Sequence, residues 1–437
     1  MCLIYRLDYK NAVTISLLDG LAEVFGAELP PENPVYFSKG SKFAVFTWHK
    51  AKILITGHVD STYIRSSTTM QNYLEIHSNI QEDRENALIG RAPGPNVVVW
   101  GSPGSGKSTL CKILINYALK MGNKPVYIDL DIENNEIVPA GCIGATKVKM
   151  PLPNDDLNED SIWMYYGFKA ANMVKSLYKK QISELSEVVK KKIENKKEEM
   201  QKEYADIIQN KQNIASIKAI LEPYSTSKVP MELASGCIIN TMITPYEPPE
   251  KTIKKIAKLF DADYIIVIHF EKLYVKLREE YKSNSRLKLI DISQYCGMIN
   301  TEEMYKPIIK NMNYRKYFHG KFGTLDTCEW SLSLDEYKLY TIEIVTIPLS
   351  ALPMGAKEDT HKVIIKLAEP ESLLLQNKIV GVLDPIDVDK LETLEKDSKS
   401  GILTSVHIIL NKCLWLKTLW INLFFYLIFK IYLWNKT

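Results

Sequence analysis

The sequence predicts an α/β protein in which a doubly wound domain is flanked by β-rich regions. Three observations predict this class. A glycine-rich loop at 101–109 lies between an apolar run and a helical segment, strands and helices alternate over 96–310, and short apolar runs separated by Gly and Pro stand before and after that region. With 437 residues, 46% of them hydrophobic, the chain is long enough for more than one domain.

The N-terminal region, predicted to span 1–77, has the pattern of short strands. Its apolar runs at 12–18, 42–48 and 52–57 are separated by Gly and Pro. The polar segment 78–95 that follows is interpreted as a helix end or a linker. The sequence therefore predicts an all-β unit ahead of the glycine-rich loop.

The loop is a complete phosphate-binding motif of the Walker A type. Glycines let its backbone wrap around a polyphosphate so that the N–H groups point at the phosphate oxygens. Lys107 then reaches the β- and γ-phosphates, and the Ser108 hydroxyl binds Mg²⁺. The residues expected to bind the nucleotide are Gly101, Gly104, Ser105, Gly106, Lys107, Ser108 and Thr109. A nucleoside triphosphate with Mg²⁺ is the predicted ligand.

The segments around the loop favour this interpretation over a chance glycine-rich turn. Residues 96–100 are typical of a buried strand, and 110–121 has helical apolar spacing. A second strand at 124–131 ends in acidic residues, and a helix at 250–260 precedes a further buried strand at 261–269. Strands and helices therefore alternate as they do in a doubly wound domain.

A segment rich in Lys and Glu, 174–219, interrupts this domain. It is predicted as an exposed helix with i,i+4 ion pairs, and its interleaved acidic residues argue against a nucleic-acid contact. From 311 to 405 short strands return, at 325–334, 338–347 and 361–367. They predict a small C-terminal β-rich domain.

The last residues, 406–437, form an atypical apolar tail. The run 413–434 is strongly apolar and aromatic, but Lys417 and Lys430 limit its longest uncharged stretch to twelve residues. A membrane-spanning helix needs about 20 apolar residues. A buried element, or a tail unrelated to the rest of the fold, is therefore favoured over a membrane anchor.

Composition and charge exclude several function classes. The net charge of +3 gives no overall basic surface, so no DNA specificity is expected. The seven cysteines have no metal-ligand spacing, which is typical of a reduced, intracellular chain. The N-terminus lacks the pattern of a secretory signal.

The segment 17–57 carries the most specific pattern outside the loop. Its characteristic residues are Gly20, Ala22, Glu23, Phe25, Gly26, Glu28, Leu29, Gly40, Lys42 and Ala44 to His49. Ahead of a phosphate-binding loop, they resemble the β domain of the polyribonucleotide 5′-hydroxyl-kinase family, which includes the kinase-like subunit of pre-mRNA cleavage complex II. Segments at 235–241, 261–274 and 346–355 resemble the same family, so the similarity spans roughly 3–390.

The resemblance implies an N-terminal β-sandwich that cups the nucleotide base, a central P-loop kinase-like domain and a small C-terminal domain. It implies ATP as the nucleotide and, in active members, the 5′-hydroxyl of RNA as the phosphoryl acceptor. The implied role is nuclear, in mRNA 3′-end cleavage and polyadenylation and, in some members, tRNA splicing. The implied partner is the other subunit of cleavage factor II.

Two site residues outside the loop follow from the resemblance. Lys42 matches a nucleotide-contacting lysine of the β domain. Asp131 matches an acidic residue that accepts the hydroxyl proton or helps to hold Mg²⁺. Without the resemblance, an Asp after a strand is more typical of a turn or a helix cap.

Several positions depart from the pattern of active members. Asp131 is followed by Glu133 and Asn134 where those members have Gly and Gln, which adds negative charge near the transferring phosphate. Tyr165 replaces the histidine of a His-Phe-Gly motif, and Thr244 lies where an acceptor-stacking tryptophan is expected. These changes weaken the case for catalysis.

The basic lid that neutralises the transferring charge is also reduced, to Lys272 and Arg278. We therefore predict an ATP-binding scaffold subunit with weak or absent kinase activity. The alternative is an active RNA 5′-hydroxyl kinase, with Asp131 as base, Lys107 and Arg278 stabilising charge, and Ser108 with Mg²⁺. A P-loop NTPase with a membrane tail is the least favoured hypothesis.

Overall fold

The structure is a computed structural model in which the chain divides into two compact units. The first comprises Met1–Asp131, Ala145–Glu159 and Ser186–Ile309, and the second Ile132–Gly144, Asp160–Leu185 and Lys310–Thr437. The residues that the structure describes are 2–6, 12–59, 61–65, 68–90, 92–135, 137–139, 141–151, 161–167, 175–210, 231–244, 247–282, 286–292, 306–319, 340–346, 361–367, 379–380, 418–424 and 426–432.

The N-terminal region folds into two antiparallel sheets. Its strands are β1 (Cys2–Arg6), β2 (Val13–Gly20), β3 (Glu23–Val24), β4 (Ala27–Glu28), β5 (Val35–Phe37), β6 (Lys42–Phe46), β7 (Ala51–Thr56) and β8 (Ser61–Arg65). One sheet has the order β4-β3-β6-β1-β8 and the other β5-β2-β7. Val13, Ile15 and Leu17 of β2 share one core with Val24 and Phe43 of the other sheet. The predicted sandwich is confirmed.

Helix α1 (Met70–Gly90) follows the sandwich and covers most of 78–95, the segment predicted as a helix end or linker. Thr68 Oγ1 accepts a hydrogen bond from the Met70 N–H at 3.2 Å, as a helix cap does. The buried face of α1 carries Tyr73, Ile76, His77, Ile80, Arg84 and Ala87. The segment is helical through Gly90 because this face repeats at intervals of three or four residues.

The next strands are β9 (Asn96–Gly101), β10 (Val126–Asp129), β11 (Cys142–Lys147), β12 (Ile162–Tyr165), β13 (Cys237–Asn240), β14 (Tyr264–Ile268) and β15 (Lys288–Ile292). Five of them pair in parallel within the first unit, in the order β10-β13-β9-β14-β15. The helices of this region are α2 (Lys107–Lys120), α3 (Lys175–Asn210), α4 (Met231–Ala234), α5 (Pro249–Leu259) and α6 (Glu271–Glu280). This is the predicted α/β arrangement around a central phosphate-binding loop.

The carboxyl edge of this sheet gathers the polar residues of the site. Strand β9 leads into the loop, β10 ends at Asp129, and β13 ends at Asn240. Asp129 is paired in register with Asn240, and Asn240 with Val99. Since parallel strands end at a common edge, the three strands place the loop, Asp129 and Asn240 side by side.

Helix α3 agrees with the predicted helix over 174–219, of which 174 and 211–219 lie outside the described residues. The structure differs from the prediction of a solvated helix at its start. Leu177, Tyr178, Ile182 and Leu185 are buried there. The first turns therefore belong to a core, because apolar residues recur on one side among the lysines.

The remaining elements are α7 (Lys306–His319), β16 (Tyr340–Thr346), β17 (His361–Leu367), β18 (Ile379–Val380), β19 (Thr418–Phe424) and β20 (Tyr426–Tyr432). Strands β16 and β17 pair antiparallel and match two of the predicted C-terminal strands, while the one at 325–334 lies outside the described residues. The apolar tail contributes the antiparallel pair β19 and β20. Among the described helices, none has the length and apolar character to cross a membrane.

Candidate nucleotide site

Left-handed glycines shape the loop at 101–109. Gly104 and Gly106 have φ angles of 73° and 89°, which residues with a Cβ rarely adopt. A Cβ on Gly101 would lie 2.3 Å from Ser105 Oγ, so a larger residue there requires the Ser105 side chain to move. Helix α2 begins at Lys107, directly after Gly106. The predicted order of strand, loop and helix is confirmed, and the free N–H groups of the first turn of α2 form an anion-binding end.

The Lys107 side chain folds along the loop. Its Nζ donates hydrogen bonds to the carbonyl oxygens of Gly101, at 2.9 Å, and Ser102, at 3.2 Å. Burial lowers the pKa of Lys107, while Asp131, Cys111 and Asp129 act in the opposite direction. The ammonium group is therefore held at the loop with two carboxylates near enough to favour its charged form.

Asn240 connects the loop to the end of β10. Its Nδ2 donates to Asp129 Oδ1 at 3.0 Å and to Ser108 Oγ at 3.2 Å. Asp129 is completely buried, and the same Oδ1 accepts the backbone N–H of Asp131 at 3.0 Å. The Tyr127 hydroxyl donates to Asp129 Oδ2 at 3.4 Å. These contacts fix the loop serine, a buried carboxylate and the start of the Asp131 segment relative to one another.

The oxygen atoms of this cluster fit Mg²⁺. Ser108 Oγ and the carboxylates of Asp129 and Asp131 are hard oxygen donors of the kind that Mg²⁺ prefers. Asn240 Oδ1 is buried and has no hydrogen-bond partner among the described residues, so it adds an unsatisfied acceptor to the same place. The site can therefore hold the ion that the phosphate-binding motif requires.

Sequence reasoning missed Asp129 and Asn240, although both lie at the centre of the cluster. Asp129 belongs to the acidic end of the predicted second strand, where the resemblance points to Asp131 instead. Asn240 ends the mostly apolar run 237–240. Only the position of β13 between β9 and β10 shows that this residue belongs to the site. The signal was a polar residue at the end of a buried strand.

The residues proposed outside the loop occupy separate elements. Lys42 is the first residue of β6 and pairs in register with Arg6 of β1. Lys272 and Arg278 are exposed on α6, and neither makes a hydrogen bond or ion pair with the described part of the chain. The structure thus gathers Lys107, Ser108 and Asp131 at the loop, whereas the roles of Lys42 and Arg278 stay predictions.

Two of the positions that depart from the pattern of active kinases, Thr244 and the Tyr165 segment, take part in packing. Thr244 is buried, and its Oγ1 lies 2.8 Å from Thr252 Oγ1, so this position faces the interior. In the second unit, Tyr166 is completely buried and packs edge-on against Tyr178, with ring centroids 6.0 Å apart. The neighbouring carbonyl of Tyr165 accepts a hydrogen bond from Gln181 Nε2 at 2.8 Å. The aromatic pair therefore belongs to the packing of its unit.

Comparison with protein families gives two matches. The family described as the mRNA cleavage and polyadenylation factor CLP1 P-loop matches residues 101–209 and 206–320. The N-terminal beta-sandwich domain of polyadenylation factor matches 3–87. Together these matches cover more than half of the chain.

Individual proteins that bear the CLP1 name are also similar to this chain. The polyribonucleotide 5′-hydroxyl-kinase Clp1 of Homo sapiens is 26% identical over 82% of this chain and 76% of its own length. The protein CLP1 homolog of Anopheles gambiae is 27% identical over 89% of this chain and 85% of its own length. A solved complex of Clp1p with Pcf11p has a similar fold, with a TM-score of 0.65 and 18% identity over 88% of this chain and 85% of that one.

Proposed function

The chain belongs to the CLP1 family of mRNA cleavage and polyadenylation factors, and from this premise we propose that it is an ATP-binding subunit of the nuclear mRNA 3′-end cleavage and polyadenylation machinery. It acts as a scaffold with weak or absent kinase activity. The observation that supports this most is a contrast. The loop and its Ser108–Asn240–Asp129 contacts are complete, whereas positions on the acceptor side have changed.

Nucleotide binding is the first part of the proposal. The loop N–H groups and Lys107 hold the phosphates of ATP, and Ser108 with Asp129 and Asp131 holds Mg²⁺. When bound, the ion neutralises phosphate charge and orients the phosphate oxygens. Asn240 keeps the serine and the buried carboxylate at a fixed spacing through its two hydrogen bonds. The site is therefore preorganised for the triphosphate.

Weak phosphoryl transfer is the second part. Thr244 is buried against Thr252, so that position offers no aromatic surface on which an acceptor base could stack. Stacking of that kind contributes about 1–3 kcal/mol per base. Lys272 stands in the lid, and a lysine cannot bind phosphate with the two-pronged geometry of arginine. Both changes lower the affinity for an acceptor RNA or for the transition state.

The alternative function is an active RNA 5′-hydroxyl kinase. It is favoured by the electrostatic effect of Asp131 on Lys107, which indicates that a carboxylate lies near the phosphate-binding lysine. In this role Asp131 accepts the proton of the RNA 5′-hydroxyl, while Lys107 and Arg278 stabilise the charge on the transferring phosphoryl group. RNA would then be a substrate in RNA processing and tRNA splicing.

Incubation of the full chain with γ-labelled ATP and a 5′-hydroxyl RNA distinguishes the two functions. The scaffold predicts ATP in the denatured, purified protein but little transfer of label to RNA. Robust transfer that is lost in Lys107→Ala would establish the kinase instead. Lys258→Ala is the matched control, because Lys258 is an exposed lysine of the same unit. Protein without any bound nucleotide, and without affinity for added ATP, would contradict both functions.

We also propose that the chain binds the other subunit of cleavage factor II. Support comes from the solved relatives, which are complexes of Clp1p with Pcf11p. Copurification of a tagged chain with the cleavage-factor partner of its own organism tests this part, and retention after a high-salt wash is the expected result. Recovery of the chain without that partner from nuclear extract would count against it.

A further inference from the structure

Residues 23–28 form a short hairpin in which β3 and β4 are joined by Phe25 and Gly26, and this docking hairpin packs on helix α2. We propose that the docking hairpin positions the N-terminal sandwich for nucleotide binding, so that its seating on α2 and the binding of ATP at the loop strengthen each other. The inference rests on the proposed ATP site. It gives Glu23 and Tyr117 a positioning role, although neither belongs to the phosphate-binding loop.

A buried carboxylate anchors the docking hairpin to α2. Glu23 is only 5% exposed, and its Oε1 accepts a hydrogen bond from the Tyr117 hydroxyl at 2.6 Å. Its Oε2 lies 3.1 Å from Lys120 Nζ, which also lies 3.0 Å from Glu28 Oε1. Burial and the Glu23 carboxylate both raise the pKa of Tyr117, so its hydroxyl stays protonated and donates. A buried carboxylate with two donors is costly to separate from them.

The turn of the docking hairpin lies directly against the helix. Asn116 Nδ2 donates to the Phe25 carbonyl oxygen at 2.8 Å, and Lys112 Nζ lies 4.6 Å from the centre of the Phe25 ring. A Cβ on Gly26 would approach the Tyr117 ring to 3.1 Å. Phe25 has a φ of 50°, an unusual value for a residue with a side chain. Contacts on both sides of the turn hold this backbone in place.

The docking hairpin is also bonded to the strand that carries Lys42. Strand β3 pairs antiparallel with β6, with Glu23 opposite Phe46 and Val24 opposite Val45. Lys42 is the first residue of β6. Any displacement of the docking hairpin on α2 therefore moves β6, and with it the lysine expected to contact the nucleotide.

Helix α2 connects these contacts to the loop. It begins at Lys107, so Tyr117 lies ten residues further along, about 15 Å at the helical rise. A regular helix of this length transmits a displacement of its first turn to its last. If docking favours ATP binding, ATP must favour docking by the same factor, because binding linkage is reciprocal.

The test uses the full chain and titration calorimetry with ATP and Mg²⁺. Tyr117→Phe removes one hydroxyl and keeps the ring that packs on Gly26, and Glu23→Gln removes the carboxylate charge. Each variant is expected to bind ATP about fivefold more weakly or worse, the lower end of typical coupling. Glu32→Gln, an exposed glutamate of the same sandwich, is the matched control and should bind as the unaltered chain does.

A double variant shows whether the effect passes through the sandwich. The double variant Lys42→Ala with Tyr117→Phe should bind ATP about as weakly as the worse single variant. Both changes interrupt the same connection, which runs from α2 through the docking hairpin to Lys42, so their effects should not add. Hydrogen exchange provides the reciprocal measurement. ATP should slow the exchange of backbone amides in 23–28, and this protection should fall in Tyr117→Phe.

The outcomes separate this inference from the proposed function. An unaltered chain that binds no ATP overturns both. An unaltered chain that binds ATP, together with a folded Tyr117→Phe variant of equal affinity, overturns the positioning role alone. Fully additive losses in the double variant, or exchange in 23–28 that ATP does not change, overturn it as well.

Discussion

Asn240 and Asp129 end neighbouring parallel strands, and the Asn240 amide donates to the Asp129 carboxylate at 3.0 Å. The same Nδ2 reaches Ser108 Oγ at 3.2 Å, in the first turn of the helix that follows the phosphate-binding loop. One amide thus joins the end of β10 to the loop. The relationship depends on the strand order and not on any contiguous motif.

Replacing Asn240 should affect both stability and Mg²⁺-dependent binding. Asn240→Ala leaves the buried Asp129 carboxylate without its amide donor, which should lower the free energy of unfolding by about 1–3 kcal/mol. The affinity for ATP should fall more in Mg²⁺ than in EDTA. Urea unfolding and titration calorimetry measure the two effects. Asn72→Ala, at an exposed position of α1, is the control. Equal ATP affinity of Asn240→Ala and the unaltered chain would contradict the assigned role.

Enlarging Gly101 should prevent nucleotide binding. A Cβ there meets Ser105 Oγ at 2.3 Å and the Ile268 carbonyl oxygen at 3.1 Å, so Gly101→Ala requires Ser105 or its neighbours to shift, at a cost of about 1–3 kcal/mol. Purified Gly101→Ala should contain no ATP. The double variant with Ser105→Gly removes the colliding hydroxyl and should recover part of the bound nucleotide. Nucleotide content after denaturation is the measurement, and full retention in Gly101→Ala would show that the loop adjusts freely.

Arg84 should matter for stability although it does not belong to the loop motif. It is buried in α1, and its Nε donates to the Ser235 carbonyl oxygen at 3.0 Å. Arg84→Ala removes this bond and the packing of the side chain, so we expect a loss of about 2–4 kcal/mol in urea unfolding. Glu75→Ala, on the exposed side of the same helix, should change stability by less than about 0.5 kcal/mol. Equal losses of unfolding free energy in Arg84→Ala and Glu75→Ala would contradict the structural role of the Arg84 side chain.

His77 should make stability depend on pH. Burial, and then the charge of Arg84, lower the pKa of His77 from 6.5 to about 4. The unfolded chain therefore takes up this proton first, so the histidine's contribution to stability is present above pH 6.5 and falls as the pH decreases toward about 4. His77→Leu should flatten the dependence of unfolding free energy on pH within this window. Urea unfolding at a series of pH values is the measurement, and a dependence in His77→Leu equal to that of the unaltered chain would contradict this role of His77.

Local signals predicted the loop and its neighbours. The apolar run before Gly101 and the helical spacing after Thr109 identify β9 and α2 because both patterns are complete within a few residues. Residues 78–95 were harder to assign. A run of polar and charged residues at 81–86 stands in the middle of that segment, and its helical character depends on burial of one narrow face against the rest of the unit.

Asp129 and Asn240 show what a single sequence does not contain. Val126 pairs in register with Cys237, more than a hundred residues away, and no local pattern specifies that pairing. The strand ends could be recognised one at a time, but their adjacency depends on the order β10-β13-β9. Thr244 and Thr252 are only eight residues apart, but the burial of Thr244 depends on α5 being in place.

The close approach of Gly26 to Tyr117 also restricts how this chain can diverge. A larger residue at position 26 would meet the Tyr117 ring and the Ile113 carbonyl oxygen, at a φ of 78° that residues with a side chain disfavour, and a shorter acid at 23 leaves the Tyr117 hydroxyl without its acceptor. The hairpin and the helix are therefore expected to change together among homologues. A chimera that joins the sandwich of one homologue to the P-loop domain of another should fold well only when the docking hairpin, residues 23–28, comes from the same parent as the P-loop domain.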